Sequence, residues 1–203
     1  MGQLLDTKTN KWYDITDQKM LIVVGPLGSG INVWDRIFNL HSMVNSLPVA
    51  VLPAFRYAWD DPTTLAFPKP DKCKNFVTSC SIPYAYNGGY RVPPILEFIQ
   101  IVQEVHHVKP IVAVISCDKN TIEEHQERVH GKITLNDAYR AIDEIAEGYY
   151  DSLHDKSQIH FLSYESLYLW RNHYLKSLND KLDFPIAWWD DKNINKILRQ
   201  ELP

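Results

Sequence analysis

From Met20 to Phe38 the chain reads MLIVVGPLGSGINVWDRIF. The apolar residues Met20–Val24 run on without alternation, as a strand buried on both faces of a parallel sheet does. Glycines then crowd the stretch Gly25-Pro26-Leu27-Gly28-Ser29-Gly30. Beyond Ile31 and Asn32, Val33, Ile37, Leu40 and Val44 recur near helical spacing, which predicts a helix over Asn32–Asn45. Strand, glycine turn and helix in this order suit an anion. Glycine lets the backbone curl until successive N–H groups face one concavity, and the helix N-terminus adds the positive end of its dipole.

The spacing from Gly25 to Gly30 matches the G-x-x-x-x-G half of a Walker A loop. The other half differs, because Ile31 and Asn32 stand where Walker A has Lys and Ser/Thr. That removes the usual cation at the β- and γ-phosphates and a Mg²⁺ ligand. A phosphate bound here rests on the backbone of Gly25, Pro26, Leu27, Gly28, Ser29, Gly30, Ile31 and Asn32, with Ser29 and Asn32 adding side-chain bonds. The plain alternative is a tight glycine turn with no ligand. On the phosphate reading, Gly30→Val abolishes nucleotide binding in a protein that still folds.

Outward from this segment, Ile111–Ile115 and Ile159–Leu162 are further continuous apolar runs, with Val49–Leu52 and Phe76–Val77 as weaker strand candidates. Helical stripes lie between them. Ile95–Val105 is entered through Pro93-Pro94. Thr134–Leu153 opens with the capping-box pair Thr134 and Asp137. Glu165–Leu182 carries Leu167, Trp170, Tyr174 and Leu178. Strands alternating with helices predict a three-layer α/β fold with a mainly parallel sheet. The 203 residues suit one domain over 1–203, with an irregular insertion around 59–94 that is rich in Pro, Asp, Tyr and Gly.

Lys and Arg number 21 against 25 Asp and Glu, a net charge of −4, so the surface as a whole is no general polyanion binder. No apolar run approaches the about 18–20 residues that span a bilayer, so no membrane partner is expected. The N-terminus is polar and lacks a signal-peptide core. The cysteines Cys73, Cys80 and Cys117 form no C-x-x-C pair, which fits a reducing compartment and a cytoplasmic location. His106 and His107 are adjacent and no H-E-x-x-H occurs, so no metal site is expected.

Asp60 and Asp61, between Trp59 and Pro62, can supply a general base for an acceptor hydroxyl or hold Mg²⁺; otherwise they form an Asp-rich turn. Asp118 ends a strand, either at a ligand edge or as a helix N-cap. Lys119, Arg128, His130 and Lys132 lie in one segment. They belong to a lid whose Lys119 or Arg128 replaces the missing loop lysine, or to a solvated charged helix, since Glu123, Glu124 and Glu127 interleave. Around Asn87-Gly88, Tyr84, Tyr86, Tyr90 and Arg91 form either a stacking surface or a hairpin.

Gly28-Ser29-Gly30-Ile31-Asn32 resembles the R-S-G-T loop of the P-loop sulfotransferases, with Ser29 and Gly30 matching, Gly28 in place of Arg and Ile31 in place of Thr. Pro110–Asp118, PIVAVISCD, is similar to the family's strand ending in R-D, with Cys117 at the Arg position. Phe161–Leu167, FLSYESL, is similar to its Y-E-D-L motif. The resemblance implies a P-loop NTPase-like fold whose loop holds the 5′-phosphosulfate of phosphoadenylyl sulfate. The chain also resembles small P-loop proteins of phages, including nucleotide and nucleic-acid-base kinases, which implies ATP and Mg²⁺. The expected activity is transfer of a sulfuryl or phosphoryl group from an adenine nucleotide to a hydroxyl of a small molecule or nucleic-acid base. A non-catalytic scaffold binding a nucleotide, nucleic acid or protein is the further alternative. Glu165 is expected to support the first turn of a helix and not to act as the base.

Overall fold

A computed structural model describes residues 3–6, 11–14, 18–46, 59, 62–65, 67, 74–86, 89–152 and 159–187. Strands β1 (Gln3–Asp6) and β2 (Lys11–Asp14) form an antiparallel pair. Strand β3 (Lys19–Pro26) leads into helix α1 (Ile31–Asn39), strand β4 (Val44–Ser46) and strand β5 (Asn75–Ile82). A short antiparallel hairpin, β6 (Tyr84–Tyr86) and β7 (Gly89–Arg91), precedes α2 (Ile95–Glu104). Then come β8 (Lys109–Ser116), α3 (Lys119–His130), α4 (Leu135–Ser152), β9 (Ile159–Ser163) and α5 (Tyr164–Leu182).

The main sheet has the order β4-β5-β3-β8-β9, and every pairing in it is parallel. Because side chains alternate across a strand, the continuous apolar run of β3 serves two cores at once. Met20, Ile22 and Val24 pack with Val112 and Val114 of β8, Phe98 of α2 and Ile142 of α4. Leu21 and Val23 pack on the other face with Trp34 and Phe38 of α1 and Leu167 and Leu178 of α5. Each fully buried aliphatic or Phe side chain contributes about 1.5–3 kcal/mol. The two cores together make the expected three layers, helices on both faces of a parallel sheet.

Several local expectations need correction. The helix predicted over Asn32–Asn45 stops at Asn39. Asn39 turns its amide back to Asp35 (2.9 Å to the carbonyl), and Val44, expected on the helix stripe, instead pairs with Asn75 as a sheet residue. Within 59–94 the weak candidate Phe76–Val77 is an eight-residue strand beside β3. Its apolar run is broken by Thr78, Ser79 and Ser81, which hid it from a hydrophobicity reading. Trp170 does not join the buried stripe of α5 but is 60% exposed. Arg171 has φ 43° and ψ −118°, a kink directly after Trp170, and Leu175, Leu178 and Leu182 beyond it are buried in the same core as Leu167. The expected Thr134–Asp137 box is replaced by other bonds: Thr134 meets Gln126, and Asp137 pairs with Arg140 at 2.7 Å. Val49–Leu52, Asp60, Asp61 and the hairpin tip Asn87-Gly88 lie outside the described residues.

No described helix is long and apolar enough to cross a membrane. Among the described residues there is also no group of His, Cys, Asp or Glu arranged to hold a metal ion.

Candidate functional site

The chain leaves β3 for α1 and β4 on one side of the sheet, and later fills the other side with β8 and β9. The connection reverses at β3, so the crevice outside its carboxyl end is a topological switch point, where open α/β sheets bind ligands. The glycine loop sits there.

The loop is tight. Leu27 N–H donates to the Ile82 carbonyl at 3.3 Å, and Ser29 N–H donates to the Pro26 carbonyl at 3.0 Å. Gly30 is the N-cap of α1 and has no side chain to cap it. Its carbonyl accepts from Val33 N–H at 3.0 Å. The N–H groups of Gly28, Gly30, Ile31 and Asn32 have no backbone acceptor among the described residues. They are the donors left for an anion, at the positive end of α1.

Gly28 and Gly30 have φ of 89° and 83°, a region that side chains disfavour. Each is also pressed by a ring from another element. A Cβ on Gly28 would stand 2.8 Å from Cδ2 of His125 of α3. A Cβ on Gly30 would run into the Tyr164 ring at the start of α5. Tertiary packing alone therefore demands glycine at position 30. The expectation that Gly30→Val spares the fold is corrected: the side chain meets both a strained φ and a packed ring.

The loop side chains divide. Ile31 is buried in the α1–α5 core, so where the sulfotransferase loop has Thr this chain presents only backbone. Ser29 is fully buried, and its Oγ has no hydrogen-bond partner among the described residues. That oxygen lies 2.8 Å from where a Cβ of Gly25 would stand, so it points back across the loop and not outward. Asn32 is exposed on the first turn of α1.

Helix α3 packs on the loop through a residue the sequence reading did not single out. Gln126 is fully buried. Its Nε2 donates to the Leu27 carbonyl at 2.7 Å, and its Oε1 accepts from Thr134 N–H at 2.7 Å. One side chain thereby ties the loop, α3 and the entry to α4 together. The clue was Ile122, since a residue four further on shares its face. The clamp fastens this turn of α3 to the loop.

The clamp also orients the expected cations. Lys119 and Arg128 are nine positions apart, so they lie about 13 Å apart along the axis and on opposite faces. Arg128, two residues past Gln126, is turned about 200° from the loop-facing side chain and is exposed. Lys119, seven residues before Gln126, shares its face about two turns away. Its Nζ lies 3.6 Å from Glu123 Oε1. The structure thus does not bring the two cations together.

Asp118 caps α3. Its Oδ1 accepts from Thr121 N–H at 2.9 Å and from the Thr121 hydroxyl at 3.1 Å. Those bonds hold its carboxyl below the usual range. Glu165, in the first turn of α5, takes the Asp118 N–H at 2.6 Å and the Ser163 hydroxyl at 3.0 Å. Partial burial pushes the Glu165 carboxyl up, but the hydrogen bonds outweigh it and the net shift is downward. Burial first, and then the Glu165 carboxylate, pushes the Cys117 thiol up to about 12. Glu165 therefore staples the end of β8 to the start of α5. Of the two other expected catalytic groups, Asp60 and Asp61, only the neighbour Trp59 is described. It is buried and stacked on Phe98 at 4.1 Å.

No family model matches the chain, and no curated protein matches it. Among solved structures it is similar to mouse sulfotransferase SULT7A1 complexed with PAP, at 12% identity and a TM-score of 0.47. That alignment covers 93% of this chain, which spans 65% of the length of the sulfotransferase. It is also similar to a gluconokinase from Sinorhizobium meliloti 1021, at 9% identity and a TM-score of 0.36, over 91% of this chain and 96% of the other. At such scores neither likeness bears on activity. The P-loop-like α/β fold rests on this chain's own strand order and on the glycine turn that joins its central strand to α1.

Proposed function

We propose that the chain is a P-loop group transferase that moves a sulfuryl or phosphoryl group from an adenine nucleotide to an acceptor hydroxyl. The observation that supports it is the placement of four loop and first-turn N–H groups (Gly28, Gly30, Ile31, Asn32), without a backbone acceptor among the described residues, at the carboxyl end of the central strand. Backbone from Gly25 to Asn32 holds the donor phosphates, and Asn32 adds a side-chain bond. Lys119 and Arg128 are the candidate sources of charge; only Lys119 lies on the loop-facing side of α3, where it is paired with Glu123. Asp60 or Asp61 accepts the acceptor proton. Transfer of this type depends mainly on positioning and on charge stabilisation, which fixed backbone donors provide.

The test is titration with ADP, ATP with and without Mg²⁺, phosphoadenylyl sulfate and its desulfated product, followed by amide resonances. Binding that moves the Gly28, Gly30, Ile31 and Asn32 amides supports the phosphate loop. A Mg²⁺ requirement selects the kinase reading, in which the acceptor is a nucleotide or nucleic-acid base. Tight binding of phosphoadenylyl sulfate without Mg²⁺ selects sulfuryl transfer. Titration that leaves these amides unmoved removes both.

The burial of Ile31 and Ser29 favours a second reading, a scaffold that binds a nucleotide, nucleic acid or protein without catalysis. Nucleotide binding with no turnover of bound phosphoadenylyl sulfate or ATP against any hydroxyl acceptor selects it.

A further inference from the structure

The loop lacks the lysine that ordinarily meets a bound phosphate, and the cations expected to replace it are poorly placed. Lys119 is paired with Glu123, and Arg128 faces away from the clamp. The side chains that do touch the positive-φ glycines are rings, His125 on Gly28 and Tyr164 on Gly30. Only the imidazole of these two can carry positive charge near neutral pH. It offers one ring N–H donor when neutral and two when charged.

The approach of His125 is held from several directions. Its neighbour Gln126 is bonded to Leu27, the residue before Gly28, which fixes this turn of α3 on the loop. The His130 ring lies 6.1 Å from the His125 ring and 6.4 Å from the Tyr90 ring of β7. Lys132 Nζ lies 5.7 Å above the Tyr90 ring. Basic groups thus run from the loop towards the β6–β7 hairpin.

We infer that His125 takes the place of the absent loop lysine as the side-chain donor to a phosphoryl oxygen bound at the Gly28–Asn32 amides. The inference deepens the phosphate-loop reading and rests on it. The ligand class is a diphosphate or phosphosulfate ester, whose oxygens need more donors than the remaining loop amides supply. Gln126 positions His125 and does not itself touch the ligand. The stretch was hidden in the sequence because His125 sits among Glu123, Glu124 and Glu127, where a charged solvated face is the ordinary reading.

The experiment measures the affinity of inorganic pyrophosphate and of ADP by calorimetry and by the loop amide resonances, for the parent, His125→Gln, His125→Phe and Arg140→Gln. His125→Phe keeps a ring against Gly28 but removes the donor. Arg140→Gln removes a positive charge from α4, where Arg140 pairs with Asp137. Loss of a charge-assisted bond should weaken both ligands about ten- to hundred-fold in the two His125 variants and leave Arg140→Gln at the parent value. Melting curves show which variants fold, and either folded His125 variant suffices. If the loop amides shift with parental affinity in a folded His125 variant, the loop binds phosphate and the role of His125 is overturned. If pyrophosphate and ADP leave the parent's loop amides unmoved, the phosphate-loop reading falls and this inference falls with it.

Discussion

Replacing Gln126 by Leu tests how the loop is held. The two side chains have similar volume, so the change removes hydrogen bonds and little packing. Two partners lose their bond: the Leu27 carbonyl and the Thr134 N–H, each at 2.7 Å. Thr134 is buried, so its N–H carries the full penalty of an unpaired donor, about 1–3 kcal/mol. Leu27 is partly exposed. Water can reach its carbonyl, and the net loss there is about 0.5–1.5 kcal/mol. Leu regains a fraction of this through apolar burial, so the expected destabilisation is about 1–4 kcal/mol. At about 2–4 °C per kcal/mol for a chain of this size, the melting midpoint should fall by roughly 2–16 °C. Urea denaturation with an unchanged slope would confirm that stability and not compactness has changed.

Gln126→Glu sharpens the test. A carboxylate can still accept from Thr134 but opposes the Leu27 carbonyl, whereas a protonated carboxyl can donate to it. Burial raises the folded pKa of such an acid, so its cost is present at neutral pH and disappears as pH falls through that value. The Gln126→Glu deficit should therefore shrink in acid while that of Gln126→Leu persists. A Gln126→Leu protein that unfolds at the parental midpoint and slope would refute the clamp.

Gly30→Ala should destabilise strongly, because its Cβ enters the Tyr164 ring at a φ of 83°; adding Tyr164→Ala should recover part of the loss and leave the about 1–2 kcal/mol cost of the left-handed backbone, read from a double-mutant cycle. Glu165→Gln should lower stability at pH 7 by about 1–2 kcal/mol through weaker acceptance from Asp118 and Ser163. Because the folded Glu165 pKa is depressed, its contribution is present at pH 7 and above the unfolded value and lost as pH falls through the folded one, so parent and variant should converge in acid denaturation curves once the pH is below that depressed value. Equal loss at both pH values would return Glu165 to a packing role. Cys117, with its thiol pushed up to about 12, should resist iodoacetamide at neutral pH and react faster in Glu165→Gln, as peptide mass mapping can show.

Much of the architecture was legible in local pattern. The continuous apolar runs at Met20–Val24, Ile111–Ile115 and Ile159–Leu162 are strands β3, β8 and β9, each longer by one to three residues than its run. A continuous apolar run of this length is too short for a buried helix, and after β3 the glycines mark where the strand turns. Asp118 as N-cap and Glu165 in a first helical turn also followed from residue type and position.

What the tertiary structure decided concerns partners distant in the chain. Strand β5 was nearly invisible because its Thr and Ser residues are accommodated only beside β3 and α1. The kink at Arg171 interrupts α5 beside the exposed Trp170, and periodicity assumes no kink. Gly30 looked like a residue kept free for a ligand, yet the Tyr164 ring, 134 positions away, already forbids a side chain there. Ser29 read as a polar contributor, and the close passage of β3 turned it inward against Gly25. Gln126 and His125 drew no notice among charged neighbours, and they reach the loop only because α3 folds back over the carboxyl end of β3. Local sequence determines strand, turn and helix through backbone sterics and hydrophobic period. Which side chain meets the loop depends on how α3 and α5 pack across the sheet, and that contact is made between residues with no proximity along the chain.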